Sequence, residues 1–152
     1  MQSTKQAIFN LGEDEYGLDI MDVIAIEKLV DIRPTSSLPE YFKGVINLRG
    51  DIIPVYSLRK KFGMEEIEPD VDTRFIIIFS GGVLVAFEVD KMAGIVEVNG
   101  DQQSKVPIIV QSVDTSYLKA ITKVNDRLVL MMDKNGFLSE DDLKKIEKVI
   151  KK

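Results

Sequence analysis

The chain has no cysteine, no histidine and no tryptophan among its 152 residues. Without cysteine there is no disulfide framework, no thiolate metal site and no thiol nucleophile, a pattern that fits a reducing compartment. Without histidine the commonest general base and metal ligand is missing, and neither a Ser-His-Asp arrangement nor a phosphorylated histidine is available. Long apolar runs are absent too. Phe75 to Phe79 and Val83 to Phe87 fall far short of the ~20 residues a membrane-spanning helix needs. No charged-then-apolar leader precedes Gln6, so the chain reads as cytoplasmic, without direct membrane insertion. Positive charge is in deficit: 20 Lys and Arg against 25 Asp and Glu leave a net charge of -5, which argues against nucleic acid as a partner. Neither a G-x-x-x-x-G-K-[ST] loop nor a G-x-G-x-x-G fingerprint occurs, so nucleotide phosphates lack their usual cradle.

What remains is 45% hydrophobic, enough to build one domain, here expected over residues 1–152 as two small subdomains on one core. Where one subdomain ends and the other begins is not legible. The acidic clusters Glu13 to Glu15, Glu65 to Glu68 and Glu140 to Asp142 lie in turns or at a helix start. They read as solvated loops and dipole partners rather than a catalytic carboxylate pair. No catalytic residue, metal ligand or cofactor site is therefore assigned, and the protein is expected to work through its surfaces.

Alternating apolar residues predict a first hairpin, Ala7 to Leu11 and Tyr16 to Ile20, around a turn at Gly12 to Glu15. A helical turn at Met21 to Val23 leads into a short strand, Asp31 to Pro39 forms a loop, and Pro39 opens a short helix over Glu40 to Lys43. Ser57 to Phe62 is a helical turn stopped by Gly63, followed by an acidic connector over Glu65 to Asp72. Arg74 to Ser80 and Val83 to Val89 pair across Gly81-Gly82, and the unbroken apolar run Phe75 to Phe79 predicts burial on both faces. Further strands are expected at Gly94 to Val98, at Val106 to Val113, and as a hairpin of Tyr117 to Val124 with Arg127 to Asp133 around Asn125-Asp126. A C-terminal helix is capped by Ser139 with Asp142, and carries Leu143, Ile146, Val149 and Ile150 as its stripe. About ten strands at this spacing suit two barrels of about five strands better than one wide barrel.

The stretch from Lys43 to Val55 stands out. A two-residue turn at Gly50-Asp51 sets Arg49 opposite Ile52, Leu48 opposite Ile53 and Ile46 opposite Val55. Ile46, Leu48, Ile53 and Val55 then share a core face, while Val45, Asn47, Arg49, Ile52, Pro54 and Tyr56 share the other. One cation among apolar neighbours is the composition of a partner-binding surface.

These residues resemble the CheW family of chemotaxis coupling proteins. The resemblance rests on Glu15-Tyr16-Gly17-Leu18-Asp19-Ile20, on Gly44-Val45-Ile46-Asn47-Leu48-Arg49-Gly50 with Ile53-Pro54-Val55, on Leu58-Arg59-Lys60-Lys61-Phe62-Gly63 and on Val89-Asp90. It runs from Phe9 to about Leu143. It implies an all-β fold with short helices, two five-stranded SH3-like β-barrels packed on a shared hydrophobic core, and a C-terminal α-helix. It also implies a non-enzymatic adaptor joining the cytoplasmic signalling tip of chemoreceptors to the regulatory domain of the histidine kinase CheA. Such a chain would be monomeric alone and recruited to receptor arrays at the inner membrane.

Val23, Asn47 and Arg49 fall on positions that the resemblance associates with receptor coupling, with Ile26, Leu29 and Val45 completing the groove. Gly44, Gly50 and Asp51 are expected as structural turn positions, and Ile32, Pro34, Leu38, Pro39 and Tyr41 as a kinase-docking segment. The chain departs from the family where a glutamate is common two residues after Val23: it has Ala25, with Glu27 further on. The regulatory domain of a larger kinase, a receiver-fused adaptor and a small β-barrel ligand-binding module stay open as alternatives.

Overall fold

The structure, a computed structural model, describes residues 3–35, 37–99, 103–104, 117–124 and 126–150. Strands β1 (Ser3–Leu11) and β2 (Asp14–Asp19) form the first hairpin, and a 3₁₀ turn over Ile20–Asp22 leads to β3 (Val23–Lys28). The next hairpin is β4 (Phe42–Leu48) with β5 (Asp51–Ser57), followed by helix α1 (Leu58–Lys61), β6 (Arg74–Ser80) and β7 (Val83–Val89). Then come β8 (Lys91–Asn99), the two-residue β9 (Gln103–Ser104), β10 (Leu118–Val124), β11 (Arg127–Met132), a 3₁₀ turn over Lys134–Gly136 and helix α2 (Glu140–Ile150). The expected strand at Val106 to Val113 lies outside the described residues, as does Asn125 of the expected turn. Among the described residues no helix is long and apolar enough to cross a membrane.

Two sheets result. The first has the order β8-β1-β2-β11-β10-β9 and the second β3-β6-β7-β5-β4, each with one parallel neighbour pair, β2 with β11 and β5 with β7. The chain thus builds two strands of the first lobe, completes the whole second lobe from β3 to β7, and returns at β8. Apart from β9, the first lobe repeats the layout of the second if its strands are read β8, β10, β11, β1, β2, a circular permutation whose break is the chain's own termini. This is the expected all-β architecture of two SH3-like lobes with short helices and a C-terminal helix, though the ladders are open.

Three apolar clusters account for the packing. Ile8, Val98, Ala120, Val124, Val129 and Met131 fill the first lobe, and Ile46, Ile53, Val55, Phe75, Ile77 and Ala86 the second. The third lies between them, joining Phe9, Leu11 and Leu18 of the first lobe to Tyr56, Ile76, Ile78, Val85 and Phe87 of the second. Because side chains alternate, β6 sends Phe75 and Ile77 to its own lobe and Ile76 and Ile78 to the shared core, as an unbroken apolar strand requires. Rings run through this seam. Tyr16 stacks on Phe9 and Phe62, Phe62 meets Tyr117, Tyr117 meets Phe137, and Phe137 meets Phe87 and Tyr56, which in turn contacts Tyr41 and Phe42. Centroid separations of 4.7 to 6.1 Å are those of favourable stacked and edge contacts.

Helix α2 closes the seam. Ser139 and Asp142 form the expected reciprocal cap, Asp142 N–H donating to Ser139 Oγ (3.1 Å) and Ser139 N–H to Asp142 Oδ2 (3.0 Å). Ile146 is buried, and Leu143 packs so closely on the β6–β7 turn that a Cβ on Gly81 would strike it.

Two expectations are corrected here. No helix forms over Glu40 to Lys43; β4 begins at Phe42, and its backbone is satisfied by pairing with β5 instead. The β4–β5 turn is Arg49-Gly50, not Gly50-Asp51, so Asp51 is the first residue of β5 opposite Leu48 and not a turn position. A two-residue turn with both central φ positive follows the strand twist, and Arg49 (51°) and Gly50 (90°) adopt it, with Asn47 Oδ1 accepting from Gly50 N–H (3.1 Å). Ile46 therefore faces Ile53 rather than Val55. The pairing moves by two positions, so the side-chain faces keep their assignment.

Candidate functional site

The hairpin tip presents Arg49. Its left-handed backbone lifts the side chain out of the strand, leaving it 74% exposed. The guanidinium still has a partner: Nη2 donates to Glu27 Oε2 at 2.8 Å, and Glu27 lies on β3, the opposite edge strand of the same sheet. The hydrogen bond and charge of Glu27 raise the Arg49 pKa further, so the cation is permanent. This contact ties the two edges of the second lobe together at its rim. Glu27 was not among the expected site residues, and its distance of 22 positions along the chain from Arg49 explains why.

Along β3 the exposed residues are Ile24, Ile26 and Lys28, two of the three apolar. A register shift between Val23 and Ala25 turns Ile24 outward (59% exposed), and Ile26 and Leu29 follow at 38% and 40%. Among the described residues β3 pairs only with β6, so this is an open sheet edge beside an apolar face. Of the expected receptor set, Ile26, Leu29, Asn47 and Arg49 are accessible. Val23 instead packs against the shared core, and Val45 is buried beneath the segment that follows β3. The outer face expected of the hairpin is outward only near its tip, because Pro54 and Tyr56 are buried.

Gly44, expected as a turn position, lies instead inside β4 opposite Val55, and that covering segment explains it. Arg33 and Val45 exchange two backbone hydrogen bonds (2.8 and 2.9 Å), and a Cβ on Gly44 would collide with the Arg33 carbonyl. The close approach requires glycine, whose φ here is 153°. A cavity of about 300 Å³ opens beside the bridge, where Ile32 meets Val45, Asn47 and Ile52. The expected kinase-docking segment is otherwise mostly packed. Ile32 lies against the second lobe's core, Leu38 and Tyr41 against the shared core, and Pro39 is buried, leaving Pro34 exposed.

A second arginine sits deeper. Arg59 on α1 grips Asp90 with two bonds, Nε to Oδ1 at 2.9 Å and Nη2 to Oδ2 at 2.5 Å, and donates from Nη1 to the Glu65 carbonyl (2.7 Å). Asp90 Oδ2 also accepts from Gly12 N–H at 2.8 Å. Burial pushes the Asp90 carboxyl up, but the Arg59 and Gly12 hydrogen bonds outweigh it and hold the group below its ordinary value. Nearby, Lys43 bridges Glu88 (2.7 Å) and Glu66 (3.5 Å), and Ser57 Oγ donates to Glu66, which pins the start of the acidic connector.

Comparison with known proteins matches this arrangement to one family. The family model described as CheW-like domain matches residues 6–142. The chain is 30% identical over 144 residues to the chemotaxis protein CheW of Klebsiella aerogenes, spanning 95% of this chain and 87% of that protein. It is 31% identical over 137 residues to the chemotaxis protein CheW of Bacillus subtilis, spanning 90% and 88%. The crystal structure of the scaffolding protein TtCheW from Thermoanaerobacter tengcongensis superposes with a TM-score of 0.82 at 32% identity, covering 92% of this chain and 91% of that one. With its two-lobe fold, its Asn47-Leu48-Arg49-Gly50 hairpin and a family match over nearly its whole length, the chain belongs to the CheW-like family.

Proposed function

We propose that this protein is a chemotaxis adaptor that couples the cytoplasmic tips of chemoreceptors to the histidine kinase CheA, acting by binding alone. The observation that carries this reading is the rim of the second lobe. The Arg49 cation stands beside an edge on which Ile24, Ile26 and Leu29 are exposed, with Glu27 and Lys28 interspersed among them. An amphipathic helix can bury apolar side chains against such an edge while a carboxylate or carbonyl on it takes a hydrogen bond from the arginine. Glu27 accepts a single bond from the exposed guanidinium, a contact that an arriving carboxylate can share or replace. Asn47 belongs to this site indirectly, since its side chain fixes the turn from which Arg49 projects. The kinase contact is proposed on the Ile32 to Tyr41 segment, where Pro34 is exposed beside Arg33, with Ser37 and Glu40 exposed further along. In this reading the protein acts in the cytoplasm, at receptor arrays on the inner membrane, as one domain.

The test is a titration of Arg49→Glu against a receptor signalling fragment and, separately, the kinase regulatory domain. The variant is expected to keep the wild-type circular dichroism spectrum and to lose receptor affinity, because the substitution sets a second carboxylate beside Glu27. Wild-type receptor affinity in a folded variant overturns the assignment of this rim.

A further inference from the structure

The chain crosses between its two lobes twice in the described residues, and the two crossings are built differently. The first is the 3₁₀ turn Ile20–Asp22. It is held by Asp19 Oδ1 accepting from Met21 N–H (2.9 Å) and by a loose pair of Asp22 with Lys134 at 3.8 Å. The second is a single residue, Asp90, between the end of β7 at Val89 and the start of β8 at Lys91. A lone residue joining two sheets leaves few torsions with which to set their relative angle, and here its side chain is bound from both sides. Arg59 reaches it from the second lobe, and Gly12 N–H from the β1–β2 turn of the first. Its own N–H donates to the Asn10 carbonyl (3.1 Å), adding a second bond to the first lobe.

Gly12 is fitted to this role. Its φ of 61° suits glycine, and a Cβ there would lie 2.9 Å from Met64 Cε, on the segment that leads away from Arg59. Met64 N–H in turn donates to the Arg59 carbonyl at 2.8 Å. The carboxylate therefore accepts three charge-assisted bonds that no single lobe supplies, at 19% side-chain exposure, where such bonds are strong.

We propose that Arg59, Asp90 and the Gly12 N–H form an ionic latch that sets the angle between the two lobes, the Ile20–Asp22 crossing being the more yielding of the two. The shared apolar core holds the lobes together, and the latch adds direction to that non-directional contact, so surfaces on different lobes keep a fixed separation and orientation. It rests on the two-lobe fold and holds whether or not the rim at Arg49 binds receptor.

The test uses the full-length protein and Asp90→Ala, which removes every acceptor of the latch. Residual dipolar couplings report each lobe's alignment tensor, equal in wild type. In the variant the two tensors are expected to become unequal while each lobe still fits its own wild-type couplings. The amide at position 90 should exchange at least about tenfold faster, while amides in the β6–β7 pairing change less. If Asp90→Ala does not fold, Arg59→Lys, which keeps the charge and loses the two-bond grip, is read the same way. Equal tensors in the folded variant, or faster exchange spread evenly over both lobes, would overturn the latch and leave Asp90 a residue of general stability.

Discussion

Arg49 and Arg59 carry the same group and each meets a carboxylate, yet they sit in opposite surroundings. Arg49 stands on a hairpin tip, 74% exposed, with one short bond to Glu27. Arg59 is 14% exposed, holds Asp90 with two bonds and shares that carboxylate with a backbone N–H of the other lobe. An exposed pair in water gains little, because solvent screens the charges and the long side chains lose freedom in meeting. A pair shielded on most sides is strong as long as both members stay, and breaking it leaves a charge without solvent or partner. The same ion pair can therefore be an exchangeable contact at the rim and a structural joint at the seam. Sequence spacing does not separate the two roles; burial does.

The widest expected gap between them is in stability. Asp90→Ala should lower the unfolding free energy by about 2 kcal/mol, since it removes two of the Arg59 hydrogen bonds and the acceptor of Gly12 N–H, leaving the cation the Glu65 carbonyl. Arg49→Ala should leave the urea midpoint within error, and equal losses for both would break the comparison. Acid should sharpen it next. Asp90 has a depressed folded-state pKa, so its contribution is complete above the ordinary aspartate value and is lost as pH falls through the depressed one. Wild-type stability should therefore decline on acidification below the ordinary aspartate range, and Asp90→Ala should show a shallower decline, measured by denaturation across a pH series. Salt gives the smallest effect. Raising ionic strength should weaken the Arg49–Glu27 coupling in a double-mutant cycle while leaving the Arg59–Asp90 coupling nearly unchanged.

Much of the fold was legible from local patterns. The apolar run Phe75 to Phe79 announced a strand buried on both faces, which holds for Phe75 to Ile78 while Phe79, at the β6–β7 turn end, is exposed, and Ser139 with Asp142 announced the helix cap that is found. The β4–β5 hairpin was legible in its faces but not its register, because glycine fits either turn and only the positive φ of Arg49, with the Asn47 bond, selects between them. Long-range features gave no local signal. The parallel pairing of β2 with β11 joins residues more than a hundred positions apart, such as Tyr16 with Leu130. Glu27 meets Arg49, and Gly12 meets Asp90, only once the sheets are assembled. For the candidate site, the outward positions Asn47 and Arg49 followed from the hairpin. The burial of Val45 and Pro39 did not, since it depends on Arg33 pairing alongside β4 and on the packing of the loop before that strand.

The ring network at the seam gives the protein a built-in optical probe. With no tryptophan, near-ultraviolet dichroism comes chiefly from four tyrosines, and Tyr16, Tyr41, Tyr56 and Tyr117 all belong to that network. Neither lobe's own core contains a tyrosine. The native protein therefore reports the mutual docking of its lobes in one spectral window and the integrity of its strands in another, so lobe separation and unfolding can be watched apart without a label.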